Sequence, residues 1–133
     1  ALNAATMLDK SDRLQPVVVE TRRGAEQLMR ILESLARAEL TDGLTLTQLI
    51  GETQSRLPRD ASVIVIMPHV DEEKAIALAN LRRSGYAVTV VLNMYDEYDF
   101  AEASGPLVAA GIGTQHLKNE ASVVTVCRKF VLR

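Results

Sequence analysis

The chain has 133 residues, 47% of them apolar and 24% charged, with a formal net charge of −2. That balance suits one globular domain with a sizeable core and excludes a disordered segment. Lysines and arginines are scattered, so a nucleic-acid footprint is missing, and no apolar run approaches the roughly eighteen residues a membrane-spanning helix needs.

The N-terminal twenty residues read as a β-hairpin. Extended segments Leu2–Leu8 and Leu14–Glu20 flank the polar turn Asp9-Lys10-Ser11-Asp12. Pro16 has no amide to donate, which places the second strand at a sheet edge. From Gly24 to Leu40 the period becomes helical. Leu28, Ile31, Leu32, Leu35 and Ala36 share one side, with Glu26, Arg30, Glu33 and Arg37 on the other. This is an amphipathic helix expected to lie on a core. Thr41-Asp42-Gly43 ends it. A second helix covers Thr45 to Leu57, and Thr45 and Gln48 have the spacing of a capping box.

Ser62–Met67 is an unbroken apolar run rich in β-branched residues, closed by Pro68. It reads as the central strand of a parallel sheet, buried on both faces. A helical pattern from Val70 to Arg83 follows, with Asp71, Glu72 and Glu73 in its first turn, where carboxylates favour the helix dipole. After Gly85, Tyr86–Leu92 is a second strand. The three elements make a βαβ unit with a right-handed crossover. Beyond the acidic stretch Tyr95–Asp99, a shorter helix spans Phe100 to Ala110, bent near Gly105-Pro106. Gly111 stops it, and Ile112–Leu117 is a short last strand. The tail from Glu120 fits two readings. Its valines favour strand by propensity, whereas Val123, Val126, Cys127, Phe130 and Val131 fall at helical spacing, the stronger match. The fold class is therefore α/β, a three-layer sandwich with a mostly parallel sheet and an antiparallel edge hairpin.

Several stretches together carry a family resemblance. They are Arg22-Arg23-Gly24, Asp42-Gly43-Leu44-Thr45-Leu46, Leu57-Pro58-Arg59-Asp60-Ala61-Ser62 and Leu81-Arg82-Arg83-Ser84-Gly85, with their intervening helices and strands. In this order they resemble the C-terminal part of the bacterial family called domain of unknown function 58, which is similar to von Willebrand factor type A domains. The resemblance implies a single von Willebrand factor A-like, Rossmann-like domain over residues 1–133 that lacks the first strand. That strand would lie upstream of Ala1, in keeping with a chain that reads as a fragment of a longer protein. It carries the family's Asp-x-Ser-x-Ser metal motif, which Asp9-Lys10-Ser11-Asp12-Arg13 does not reproduce. Thr45 resembles the family's metal-binding threonine, but Met67-Pro68-His69 stands where its aspartate is expected. One ligand cannot hold a hard divalent cation, so no metal is expected. Members of the family sit beside MoxR-type AAA+ ATPases and carry N-terminal membrane helices. The resemblance thus implies a cytoplasmic protein-interaction domain of a membrane-anchored protein.

Candidate site residues are few. His69 follows the Ser62–Met67 strand at its carboxyl end, where α/β folds place ligands, and Asp71 lies two residues on. Together they could act as a metal or acid–base pair. The bland alternative is a loop histidine and a helix-start carboxylate. Tyr95–Asp99 shares that rim and could receive a basic partner, although acidic loops are usually just solvated. His116 reads as structural or exposed, and Cys127 as a buried small hydrophobe. As the single cysteine it forms no internal disulfide, which favours a reducing compartment. No glycine-rich phosphate loop and no nucleophile elbow is present. The expectation is a non-enzymatic protein-interaction domain with no catalytic residue, no cofactor and no metal. The alternative is a small-ligand-binding or enzymatic domain using the rim around His69, Asp71 and Asp96. The missing strand would leave an unpaired sheet edge, through which a homodimer could form.

Overall fold

The structure, a computed structural model, describes residues 2–6, 15–38 and 43–131. The chain divides into two units, Ala1–Leu57 and Pro58–Arg133. In the first, strand β1 (Leu2–Thr6) pairs antiparallel with β2 (Gln15–Val17), Leu2 opposite Val17 and Thr6 opposite Gln15. The predicted hairpin is there, and its turn, Asp9–Asp12, lies outside the described residues. It forms a two-stranded sheet of its own instead of the edge of a larger one. A three-residue strand with Pro16 at its centre has few amides to offer a second neighbour.

Helix α1 (Ala25–Ala36) starts from Gly24, whose φ of 108° suits only glycine. Gln27 is its buried side chain, and its amide donates to the Glu20 carbonyl. The predicted apolar stripe is not buried. Leu28, Ile31, Leu32 and Leu35 are between 40% and 57% exposed. The described hairpin and two helices of this unit offer too little apolar surface to cover that stripe. Helix α2 (Leu46–Gln54) opens with the predicted capping box. The Gln48 amide donates to Thr45 Oγ1 at 3.3 Å, and the Thr45 amide donates to Gln48 Oε1 at 2.9 Å.

The second unit is an alternation of strand and helix. It runs β3 (Ser62–Met67), α3 (Glu72–Arg83), β4 (Ala87–Asn93), α4 (Glu97–Ala109), β5 (Gly113–Leu117) and α5 (Glu120–Val131). The three strands form a parallel sheet in the order β3-β4-β5, with Val65 opposite Val90 and Leu92 opposite His116. The order corrects one expectation. Ser62–Met67 lies at the edge of this sheet, and β4 is central. Five consecutive β4 residues, Val88 to Leu92, are buried, whereas β3 alternates, with Ile64 47% and Ile66 68% exposed. A continuous apolar run reports an apolar strand, and only neighbours on both sides make it central.

Both crossovers step the same way across the sheet, so crossovers of one hand put α3 and α4 on one face, where they touch. Helix α5 packs against β5. The core is built from Leu78 of α3, Val90 and Leu92 of β4, Leu107 of α4 and Ile112, all essentially inaccessible. Each such side chain contributes about 1.5–3 kcal/mol relative to exposure. Helix α4 runs unbroken through Gly105-Pro106 and ends at a Schellman motif. The Ile112 amide donates to the Leu107 carbonyl and that of Gly111 to the Val108 carbonyl, with Gly111 at φ 75°. The tail is helical, as its spacing favours. Cys127, however, is exposed, and Val126 beside it takes the buried position. Helical spacing placed both near the inner face, and a narrow contact buries one residue per turn.

Candidate functional site

Strands of a parallel sheet deliver their carboxyl ends to one rim. In the second unit these ends are Pro68-His69-Val70 after β3 and Met94-Tyr95-Asp96 after β4. From this rim an open groove of ≈ 750 Å³ follows the facing sides of α3 and α4. Helical periodicity decides what lines it. From α3 come Glu72, Ala75, Ile76 and Ala79, and from α4 come Asp99, Glu102, Ala103 and Pro106. Both sets are spaced i, i+3, i+4, i+7, one face of each helix. The floor is apolar and the rim end carries carboxylates.

His69 and Asp71, which the sequence placed on the rim, both border this groove, but Lys74 stands between them. Its Nζ lies 3.0 Å from His69 Nε2 and also donates to Asp71 Oδ2. A lysine ammonium only donates, so His69 Nε2 accepts. Asp71 is the N-cap of α3, and its Oδ1 accepts the Lys74 amide at 2.9 Å. Both carboxylate oxygens are therefore engaged. The hydrogen bond from the Lys74 side chain, then that from its amide, holds the Asp71 carboxyl below its ordinary value of 3.8. Lys74 escaped the sequence reading, although its position three residues after a helix-capping aspartate was a usable signal.

Asp96 does not join them. It caps α4, accepting from the amides of Tyr98 at 2.7 Å and Asp99 at 3.1 Å. His116 is structural: its ring stacks on Phe100 at 4.3 Å between centroids, and its Nε2 lies 2.8 Å from the Met94 carbonyl. Beside it, Lys118 donates to Glu97 at 2.9 Å and lies 5.5 Å from the Tyr95 ring centroid. That hydrogen bond lowers the Glu97 carboxyl from 4.5 and raises the Lys118 ammonium from 10.5. Among the described residues no serine, threonine, cysteine or tyrosine lines the groove, so none of them gives His69 a hydroxyl or thiol there to activate.

Among the described residues no three histidine, cysteine, aspartate or glutamate side chains converge. The Thr45 hydroxyl, in the first unit, is engaged in capping α2. The first unit also holds a smaller hollow of ≈ 430 Å³ between Val18–Glu20 and α1, with Arg30 and Arg37 alongside Glu20 and Glu33. Its mixed charges select no ligand. No described helix is long and apolar enough to cross a membrane. Comparison with protein-family models, with curated proteins and with solved structures finds no match to this chain.

Proposed function

We propose that this chain is a non-enzymatic protein-interaction domain, von Willebrand factor A-like, that works with a MoxR-type AAA+ ATPase. The observation that supports it is the edge strand β3. Its six residues pair with β4 on one side only among the described residues, and Ile64 and Ile66 stand exposed on one face. An unpaired apolar edge is a template for a strand from another chain. The same edge would bring two copies together as a homodimer. The partner's identity rests on the family resemblance alone.

A titration of a purified MoxR-type AAA+ ATPase into the domain, followed by calorimetry, tests the reading. Binding is expected for the wild type and a large loss for Ile66→Lys, which puts a charge on the edge without disturbing the core. No heat with the wild type, or equal binding by both, would refute it.

A second reading has one observation in its favour. The groove beside His69 and Asp71 is concave and mostly apolar, as small-ligand sites are. Against an enzyme, Asp71 and Asp96 are both committed to helix capping.

A further inference from the structure

We propose that the groove between α3 and α4 is a docking site for a basic, amphipathic helix of a partner protein. This is a different surface from the β3 edge and stands independently of it. The groove owes its space to small side chains, Ala75 and Ala79 on one wall and Ala103 on the other, while Ile76 is left 53% exposed within it. The lining runs from Asp99 of α4 to Ala110, its C-cap, about 16 Å at 1.5 Å per residue. That is three turns of a third helix, which would seat its side-chain ridge between two helices as helices ordinarily pack.

Charge selects the occupant. Glu72 begins one wall, and Asp99 and Glu102 begin the other, so negative charge gathers at the rim end. Among the described residues, the ion pairs are Arg22–Glu20, Arg30–Glu26, Lys74–Asp71 and Lys118–Glu97, and these three carboxylates belong to none of them. Helix α4 carries no lysine or arginine, none lines the groove among the described residues, and Lys74 beside the rim is already paired with Asp71. The matching ligand therefore has an apolar stripe to cover Ile76 and the alanines, with lysines or arginines near one end. An acidic or wholly apolar helix would leave the carboxylates unpaired or repelled.

The test uses the whole chain and a fluorescent synthetic peptide of about 18 residues, long enough to form helix. The peptide carries leucines at i, i+3, i+4 and i+7, lysines near one end and glutamines elsewhere. A control peptide has the same composition with the stripe scrambled. Anisotropy is expected to show binding of the striped peptide only, weakening as salt rises. Glu102→Lys should weaken it about fivefold, as reversal of an exposed charge contact does. Ala103→Trp should fill the groove and abolish binding, with circular dichroism confirming the fold. Should that variant not fold, the exposed Glu102→Lys carries the test. Ile66→Lys should leave peptide binding intact, which separates this site from the strand edge. The proposal is overturned if the wild type binds neither peptide or binds both equally. Unchanged binding by Glu102→Lys or by folded Ala103→Trp would also overturn it. So would a homodimer that Ala103→Trp dissolves, since the groove would then belong to a second copy.

Discussion

Asp71 and Asp96 show how a residue that looks catalytic can be structural. Each sits at a strand's carboxyl end, where a functional carboxylate is expected, and each closes the free amides of a helix start. Asp96→Ala is expected to cost about 1 kcal/mol, the usual worth of such a cap, read as a shift in the urea midpoint, with binding at the β3 edge unchanged. The Asp71 and Glu97 carboxyls are held below 3.8 and 4.5 in the folded chain. Groups so lowered stabilise the fold above their unfolded values, and that contribution is lost as pH falls through their folded values. Lys118 works in the opposite sense, stabilising below 10.5 and losing its contribution as pH rises through its folded value. Its partner is Glu97 itself, so the two ends of the profile report one exposed pair. Acid unfolding of Glu97→Gln should therefore begin at the same pH or higher and be less steep below pH 4.5, and titration by circular dichroism checks it. Local chemistry of this kind was legible beforehand. Thr45 with Gln48 and Gly111 act within a few residues, and both stand where their spacing placed them. Lys74 was legible only in part: its spacing from Asp71 marks the cap, but its contact with His69 depends on a loop bringing that ring within reach of the first turn of α3.

Among the elements, existence was legible and rank was not. Each described helix and strand has a counterpart in the sequence pattern, but α4 begins at Glu97, so Glu97, Tyr98 and Asp99 of the expected acidic loop form its first turn. Sheet order is not written in a run's own composition, so Ser62–Met67 read as central although β4 holds that place. The difference is measurable. Leu92→Ala in β4 should cost about 2–5 kcal/mol, the range for emptying a packed core position. Ile66→Ala in β3 should change stability by less than about 0.5 kcal/mol, as exposed substitutions do. Chemical denaturation of the two variants side by side decides between edge and centre. The stripe on α1 and Cys127 on α5 failed for a related reason. Periodicity names the side a helix would bury, and whether a neighbour arrives to cover it is a tertiary matter. Cys127, exposed on α5, should react with a maleimide in the folded protein without denaturant, as a mass shift would record.

For the molecule as a whole, the β3 edge, unpaired among the described residues, is the feature that a protein-interaction reading needs and an enzyme does not. The groove between α3 and α4 lay beyond the sequence, because it exists only where two helices separated by a strand present small side chains to the same space. Its acidic end was half visible in the Tyr95–Asp99 stretch, of which Asp99 lines the groove. With no convergent donor set among the described residues, calorimetric titration with magnesium or manganese is expected to give no heat of specific binding. The most direct test of the protein-interaction role is amide hydrogen exchange of the chain alone and mixed with a purified MoxR-type AAA+ ATPase. Slowed exchange at the amides of Ser62–Met67 that β4 leaves unpaired is expected. An unchanged exchange pattern in the presence of the ATPase, or protection confined to other segments, would contradict it.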